Sequence, residues 1–242
     1  MPIPMARRSF APLALLVLLT ACGSTQWQPG TMDYPTVRLS AAERAAGWRP
    51  LFDGVSLLGW RMYKGGAPTG WRVVNGVIER GTGGGDLVTD ETFANFELAL
   101  DWMVAPGGNS GILYRVDDAE ERSYMTGPEM QVLDDERHAD GKSALTSAGS
   151  VYGLYPAERG IAKPAGEWNA ARIVVNGNRV EHWLNGTPLA KYDLGSAEWM
   201  QRVAASKFND WKGYGRAPRG RIGLQDHGDQ VFYRNIRIKV LP

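Results

Sequence analysis

Two segments of the sequence carry ionisable and amide side chains that are separated by an even number of positions. Residues 109–115 and residues 128–135 both alternate apolar with polar positions, which is the pattern of a β-strand with one buried face. Successive side chains of a strand point to opposite faces of its sheet, so alternate residues share a face. The polar side chains predicted to share such faces are Asn109 and Arg115 on the first segment and Glu129 and Gln131 on the second.

A third segment, residues 221–227, has the same signature near the C-terminus. Ile222 and Leu224 fall on one side of it, whereas Gln225 and His227 fall on the other. A face that carries carboxylate, imidazole, guanidinium and amide groups is a poor core, but it can transfer protons and bind hydroxyl groups. We therefore predict that the three strands lay their polar faces into one cleft. The alternative is three half-exposed strands with solvated faces.

The composition limits the classes of partner. The 242 residues carry a formal net charge of +1, with 27 basic and 26 acidic side chains, so nucleic acid is not a predicted partner. Aromatic residues make up 10% of the chain, and 9 of them are tryptophan. Flat aromatic rings complement the C–H faces of sugars, which favours carbohydrate as the ligand, although buried aromatic residues also dominate ordinary cores.

Short strands separated by turns account for most of the chain after residue 47. Asn-Gly pairs at 75–76 and 185–186 lie between β-rich runs and predict tight hairpins. Ser40 and Glu43 have the spacing of a capping box and predict one short helix before the sheet. Many short strands with almost no helix indicate an all-β fold, either a sandwich or a jelly roll.

The N-terminus has the features of an export signal. Arg7 and Arg8 precede an apolar run from Ser9 to Leu19, which is too short to span a membrane. The following Thr20-Ala21-Cys22 resembles the bacterial lipoprotein box, in which cleavage occurs before the cysteine and its thiol is lipidated. Cys22 is the only cysteine, so a disulfide within the chain and a cysteine-based metal site are excluded. The resemblance implies a lipid-anchored protein of the bacterial cell envelope, in the outer membrane and facing the periplasm or the cell surface.

A series of motifs in fixed order connects the rest of the chain to one family. They are Leu51-Phe52-Asp53-Gly54, Asn109-Ser110-Gly111, Glu129-Met130-Gln131-Val132-Leu133-Asp134, Gly166-Glu167-Trp168-Asn169, Ser206-Lys207-Phe208 and Gly223-Leu224-Gln225-Asp226-His227-Gly228. Together they resemble the 3-keto-disaccharide hydrolase family over about residues 47–241. The resemblance implies a concanavalin-like jelly roll of two curved antiparallel sheets, with the sugar site on the concave face.

The predicted organisation of the chain follows from these two resemblances. Residues 1–21 are a lipoprotein signal peptide, and residues 22–46 are a lipid-anchored tether that ends in the short helix. Residues 47–242 form one jelly-roll domain of the 3-keto-disaccharide hydrolase type.

The family resemblance also implies a chemistry, the cleavage of glycosides whose glucose carries a ketone at C3. The ketone acidifies the C2 proton, and removal of that proton gives an enolate that expels the glycosidic oxygen from C1. Water then adds back, so that the net reaction is hydrolysis. The reaction needs a base, an acid for the leaving group and a charge that stabilises the enolate. Glu129 and His227 are the candidate base and acid in either order, and Lys207 and Arg115 are the candidate enolate stabilisers.

The remaining candidates would bind the substrate. They are Asn109, Gln131 and Gln225 for hydroxyl groups, and Asp134, Trp168 and Asn169 around them. His138 and His182 are interpreted as a loop residue and a solvent-face residue without a role in the reaction.

Two other functions stay open on the sequence alone. One is a carbohydrate-binding module of the same fold without catalysis, and the other is a conventional glycosidase with two carboxylates. Gln131, not an acid, lies two residues after Glu129, which counts against the second. No cofactor is predicted, and a divalent ion held by Glu129 and His227 is the alternative. The sequence predicts no particular oligomeric state.

Overall fold

The computed structural model describes residue 1 and residues 39–242. The predicted signal peptide, Cys22 and most of the predicted tether lie outside these residues. The helices of the described part are α1 (Ala41–Ala45), α2 (Ala197–Ala204) and three short 3-10 helices, Ser123–Met125, Ala139–Lys142 and Lys207–Asp210. The strands are β1 (Trp48–Pro50), β2 (Trp60–Met62), β3 (Trp71–Val74), β4 (Val77–Arg80), β5 (Leu87–Thr89), β6 (Phe96–Val104), β7 (Asn109–Val116), β8 (Glu129–Leu133), β9 (Asn169–Asn176), β10 (Arg179–Leu184), β11 (Thr187–Asp193), β12 (Arg221–Leu224) and β13 (Val231–Val240).

The strands form two antiparallel sheets that pack face to face. The larger sheet has eight strands in the order β11-β10-β9-β6-β13-β4-β3, with β1 paired to β13. The smaller sheet has five strands in the order β2-β5-β12-β7-β8. The prediction of an all-β sandwich is confirmed. The three segments expected to form one cleft are neighbours in the smaller sheet, as β12, β7 and β8.

Local sequence determines where the strands turn and where the first helix begins. Asn75 and Gly76 have φ angles of 50° and 79°, and Asn185 and Gly186 have 50° and 83°. Two-residue hairpin loops need such positive φ angles at both central positions, which Asn-Gly tolerates best. α1 begins at a complete capping box between Ser40 and Glu43, as predicted. No helix in the described part of the chain has the length and apolar character needed to cross a membrane.

One core lies between the two sheets. Ile112 and Tyr114 of β7 belong to this core together with Leu98 and Leu100 of β6, and all four are almost fully buried. Complete burial of one such side chain stabilises a fold by roughly 1.5–3 kcal/mol. Because the inward positions of β7 alternate with outward ones, the outward positions present a second face that points away from the larger sheet.

A β-bulge changes which side chains of β7 share that outer face. Val116 pairs with Arg221 and Leu113 pairs with Gly223, so β7 uses one more residue than β12 between the two pairs. The extra residue reverses the alternation, and Leu113 and Val116 therefore pack in one outer cluster although they are three positions apart. Arg115 lies in the bulge with φ of 53°. The predicted position of Arg115 beside Asn109 and Glu129 is wrong for this reason.

His182 was interpreted as a solvent-face residue, and that interpretation is also wrong. Val180, His182 and Leu184 are alternate residues of β10, and all three are fully buried. The imidazole Nε2 lies 3.0 Å from the hydroxyl of Tyr114, which also contacts the hydroxyl of Tyr192. Burial lowers the pKa of His182 to about 4, so the ring is neutral at physiological pH.

Candidate active site

A cavity of about 360 Å³ lies over the outer face of the smaller sheet. Its floor consists of polar side chains from β7, β8 and the end of β12, and its walls are mainly aromatic side chains from loops. The lining residues are Asn109, Tyr124, Gly127, Glu129, Gln131, Tyr152, Lys207, Phe208, Trp211, Tyr214, Gln225 and His227. The three predicted strand faces therefore do meet at one place. Six predicted residues lie there, namely Asn109, Glu129, Gln131, Lys207, Gln225 and His227.

Glu129 occupies the centre of the floor and is almost fully buried. Its carboxyl group lies across Gly111 of the neighbouring strand. A Cβ atom at Gly111 would come within 2.3 Å of Oε1 of Glu129, so any larger residue there would displace the carboxyl group. Nε2 of Gln225 lies 3.4 Å from Oε2 of Glu129 and donates a long hydrogen bond to it. Gly111, which has no side chain, leaves the space for the carboxyl group, and the amide of Gln225 orients it.

Burial raises the pKa of Glu129 from its usual 4.5 to about 8. The positive charge of Lys207 opposes this shift, whereas the carboxylates of Asp86 and Asp140 add to it. The carboxyl group is therefore mostly protonated at pH 7, and a small fraction is ionised. An ionised carboxylate with so high a pKa is a stronger base than an ordinary glutamate, which suits proton transfer near neutral pH.

Lys207 reaches the cavity from the 3-10 helix Lys207–Asp210. That helix begins at Ser206, whose hydroxyl accepts a hydrogen bond from the backbone N–H of Phe208. Nζ of Lys207 lies 4.4 Å from the ring centroid of Tyr152, over the face of the ring. The ring of Phe208 is 5.6 Å away on another side. Two aromatic rings thus hold the ammonium group at the cavity by cation–π attraction while leaving its N–H groups available.

His227 lies at the mouth of the cavity, beyond the end of β12. Its side chain is half-exposed, and its Nδ1 lies 3.7 Å from a carboxylate oxygen of Asp229. The ring of His138 stands edge-on to it, with 6.2 Å between the ring centroids. Nε2 of His138 is 3.5 Å from the amide nitrogen of Asn109, which lines the cavity. The loop histidine that was assigned no role therefore stands beside the cavity and helps to position two residues at its mouth.

The aromatic wall was not predicted from the sequence. Phe208, Trp211 and Tyr214 all line the cavity, and Phe208 and Tyr214 stack with 4.5 Å between their ring centroids. The hydroxyl of Tyr152 donates to a carboxylate oxygen of Asp140 over 3.2 Å. The available signal was the spacing of three aromatic residues, every third position, in a segment that otherwise reads as a polar loop.

Asp134, predicted to bind substrate, and Arg115, predicted to stabilise the enolate, have other contacts. Asp134 is buried at the end of β8, where its carboxylate accepts a hydrogen bond of 2.7 Å from the backbone N–H of Gly107. Arg115 donates to the carbonyl of Gly177 and lines a different cavity. Asp134 thus organises a turn, and the bulge in β7 turns Arg115 away from the floor.

Trp168 and Asn169 lie away from the cavity as well, which corrects their predicted place in the site. Trp168 packs against Val77, Met103 and Phe232, with the guanidinium carbon of Arg234 4.0 Å from its ring centroid. These partners belong to the larger sheet. The buried side-chain oxygen of Asn169 accepts hydrogen bonds from the backbone N–H of Lys163 and from the amide of Asn185, at 2.7 and 2.8 Å. Asn169 therefore fixes two loops at the start of β9.

The residues at the cavity offer few ligands for a metal ion. Within residues 39–242, no group of three or more His, Cys, Asp and Glu side chains is arranged to hold one. Glu129 and His227 would need a third protein ligand of another kind. Catalysis without a bound cofactor stays a prediction.

Comparison with known proteins places the chain in a family. Residues 47–239 match the model of the 3-keto-alpha-glucoside-1,2-lyase-like domain. The chain belongs to this family. A relative from Bacteroides thetaiotaomicron, named 3-keto-disaccharide hydrolase, is 39% identical, and the alignment covers 81% of this chain and 79% of the relative. The predictions of the family and of an enzyme are confirmed.

Solved structures show the same fold. A crystal structure from Parabacteroides distasonis, named a putative glycosyl hydrolase, is 35% identical with a TM-score of 0.81, and covers 86% of this chain and 100% of its own. A Bacillus subtilis protein with a galectin-like fold is 14% identical with a TM-score of 0.50, and covers 79% of this chain and 94% of its own. The second likeness concerns the fold alone and agrees with the predicted concanavalin-like sandwich.

Proposed function

We propose that this 3-keto-alpha-glucoside-1,2-lyase-like enzyme cleaves 3-keto-glycosides by removing the proton at C2. The observation that carries the proposal is the buried Glu129, whose pKa is about 8, on the floor of a cavity that also contains Lys207. A strong carboxylate base beside a fixed cation suits the removal of a proton next to a ketone. The names of the family and of the Bacteroides relative support a substrate with a ketone at C3.

The proposed reaction is an elimination followed by an addition. The base takes the proton from C2, and the C–H electron pair forms an enolate with the C3 ketone. The enolate re-forms the ketone, a double bond forms between C1 and C2, and the bond from C1 to the glycosidic oxygen breaks. The leaving oxygen takes a proton from an acid. Water then adds across the new double bond, with its oxygen on C1 and its proton on C2, which gives net hydrolysis.

In this reaction we assign the role of base to Glu129. Its central position allows it to approach the lower face of a sugar that rests on the sheet, and Gln225 directs one carboxyl oxygen. The raised pKa makes the ionised form a better acceptor for a proton held on carbon. Binding of the substrate beside Lys207 also replaces water, which strengthens the attraction between the ammonium group and a developing enolate oxygen.

His227 and the amides complete the proposed site. The half-exposed imidazole at the mouth is placed to give a proton to the leaving oxygen, because that oxygen joins the part of the substrate that projects outwards. Asn109 and Gln131 present amide groups to the sugar hydroxyls. Gln131 is oriented by its own hydrogen bond, of 3.2 Å, to the carbonyl of Thr146. Trp211 and its aromatic neighbours offer apolar surface to the C–H groups of the ring.

The cavity suits a conventional glycosidase less well. Such enzymes use two carboxyl groups on either side of the scissile bond. Among the residues that line the described cavity, Glu129 is the only Asp or Glu. A lone acid with a nearby ammonium group and imidazole fits proton removal from carbon better than displacement at C1.

A substrate deuterated at C2 tests the proposal. We expect the value of kcat/KM for the C2-deuterated p-nitrophenyl 3-keto-glucoside to be about two- to sixfold lower than for the protiated compound, if proton removal limits the rate. The unoxidised p-nitrophenyl glucoside is the control and should not be cleaved. Cleavage of the unoxidised glucoside at a similar rate would refute the mechanism and indicate a conventional glycosidase. Binding of the keto-sugar without any cleavage would indicate a carbohydrate-binding module.

We also propose that the enzyme is anchored in the bacterial cell envelope through a lipid on Cys22. The support is the arrangement of the N-terminal sequence, in which two arginines and an apolar run precede the single cysteine. An anchor of this kind would hold the catalytic domain near the membrane where sugars enter the cell.

A further inference from the structure

A second cavity lies on the other side of the wall that carries Trp211. Its volume is about 670 Å³. It is bounded by α2, by the turn that follows the 3-10 helix Lys207–Asp210 and by the bulge of β7. The lining residues are Arg115, Asn178, Leu194, Gly195, Trp199, Met200, Val203, Ala204, Asn209, Trp211, Lys212, Tyr214, Gly215, Arg216 and Pro218.

The charged side chains of this cavity all have the same sign. Arg115, Lys212 and Arg216 are positive, and the described lining contains no Asp or Glu. The ion pairs found in residues 39–242 involve other cations, such as Arg172 with Glu97, and none of these three. The second cavity therefore has an uncompensated positive charge.

Arg115 is the buried cation of this cavity, because its side chain is only 4% exposed. One terminal nitrogen donates to the carbonyl of Gly177, and Nε is buried with no hydrogen-bond partner in the described part of the chain. A guanidinium group has five N–H donors, so one carbonyl leaves most of them unused. Burial lowers the pKa of Arg115, and the effects that oppose this shift come from the tyrosines Tyr114 and Tyr192, not from a carboxylate. A buried cation without an acidic partner is costly, and an anion in the cavity would remove that cost.

The two cavities share a wall. Trp211 and Tyr214 line both of them, and residues 207–216 supply side chains to each. Lys207 and Phe208 belong to the first cavity, whereas Lys212 and Arg216 belong to the second. The two cavities are therefore adjacent, with Trp211 and Tyr214 between them.

We propose that the second cavity is a subsite for an oxyanion, a carboxylate, sulfate or phosphate, carried by the part of the glycoside that projects past Trp211. Arg115 supplies the buried donors, and Lys212 and Arg216 supply charge at the opening. Only the assignment of the anion to a part of the glycoside substrate rests on the proposed cleavage of 3-keto-glycosides. The binding of an anion does not depend on that reaction.

Direct binding is measured first, with sodium glucuronate, sodium sulfate and sodium phosphate as probes and methyl glucoside as the neutral control. Chemical shift changes in the tryptophan side-chain N–H signals follow the titration at constant ionic strength. We expect saturable binding of at least one anion, weakened about tenfold in the Lys212→Ala/Arg216→Ala double variant, since two exposed charges together contribute roughly this much. Arg49→Ala/Lys191→Ala removes the same charge outside both cavities and should leave binding unchanged. Equal binding by all three proteins would overturn the proposal.

Steady-state kinetics then test whether the second cavity binds an anionic group of the substrate. The 4-carboxyphenyl and phenyl 3-keto-glucosides are compared in the parent enzyme and in the Lys212→Ala/Arg216→Ala variant. We expect kcat/KM for the carboxyphenyl compound to fall about tenfold in the variant, and kcat/KM for the phenyl compound to stay within twofold. Equal losses for the two compounds would overturn the subsite even if the anions bind. If neither compound is cleaved by the parent enzyme, the proposed function fails, and the binding titration still decides whether the anion site exists.

A third variant tests Arg115 itself. Arg115→Met keeps the length of the side chain and removes its charge, and we expect it to abolish saturable binding of the anions. Its folding is checked by urea denaturation. If it fails to fold, the binding titration of the Lys212→Ala/Arg216→Ala variant decides whether the anion site exists. A folded Arg115→Met protein that binds the anions as tightly as the parent would refute the assignment of the buried donors.

Discussion

Replacing Glu129 by glutamine should change how stability depends on pH. The folded state holds the Glu129 proton with a pKa of about 8, whereas the usual value, expected in the unfolded state, is 4.5. Below pH 4.5 both states are protonated and Glu129 costs nothing. As pH rises from 4.5 towards 8, Glu129 ionises in the unfolded state but stays protonated in the folded state. Ionisation lowers the free energy of the unfolded state, so the parent protein becomes less stable. Above about pH 8 both states are ionised and the loss is complete.

The size of this effect follows from the two pKa values. Each tenfold difference in proton affinity is worth ~1.4 kcal/mol, so the interval between 4.5 and about 8 corresponds to a loss of ~5 kcal/mol between pH 4 and pH 9. Glutamine has nearly the same shape and does not ionise. The Glu129→Gln variant should therefore escape this loss, and its stability relative to the parent should rise by ~5 kcal/mol over the same range.

Urea denaturation at pH 4, 5, 6, 7, 8 and 9 measures the difference in unfolding free energy between parent and variant. The matched control is Glu121→Gln, because the Glu121 side chain is 81% exposed and should show no such dependence on pH. A difference between Glu129→Gln and parent that stays within about 1 kcal/mol over the whole range would refute the reasoning. That result would mean that the carboxyl group of Glu129 is hydrated or paired in the folded protein, and that its carboxylate is no stronger a base than that of an ordinary glutamate.

Further predictions concern activity, packing and location. If Glu129 is the base, kcat/KM for p-nitrophenyl 3-keto-glucoside should rise about tenfold per pH unit up to about pH 8 and then level off, and a rate that falls over this range would assign Glu129 as the acid. His227→Ala should lower kcat by about 10²–10⁴ for 3-keto-disaccharides but little for p-nitrophenyl 3-keto-glucoside, whose leaving group needs no acid; equal losses would contradict that role. Gly111→Ala should destabilise the protein by about 1–3 kcal/mol and lower kcat, because its Cβ would displace the Glu129 carboxyl group; a fully active, stable variant would show that the carboxyl group is not fixed there. Cys22→Ala should abolish labelling of the protein with a fatty acid, and a variant that is still labelled would contradict the anchor.

The floor of the site was predictable because it depends on strand alternation. Glu129 and Gln131 occupy the outer face together, and Gln225 follows from the position of Ile222 and Leu224 in the core. The same rule would have placed His182 in the core, since Val180 and Leu184 flank it at the buried positions of β10. At this position the alternation of the strand predicts burial better than the polarity of the side chain does.

Other features depend on contacts that alternation does not describe. Arg115 leaves the predicted face because one extra residue in β7 is absorbed as a bulge, and that depends on the pairing with β12. Trp168 comes after a loop and finds its partners on the larger sheet, far away in sequence. The aromatic wall belongs to connections between strands, whose path is determined by packing and not by a period in the sequence.

The segment from Lys207 to Arg216 forms the wall between the two cavities. It carries an ammonium group for the proposed chemistry on one side and two cations for the proposed anion on the other, and it is anchored by the stack of Phe208 on Tyr214 and of Tyr214 on Trp199. The paired strands of the smaller sheet hold Glu129 without help from this segment. An engineer could therefore exchange residues 209–216 for those of a relative, keeping Trp211 and Tyr214, and so weaken the attraction of the second cavity for an anion while Arg115 and the floor that carries Glu129 stay in place.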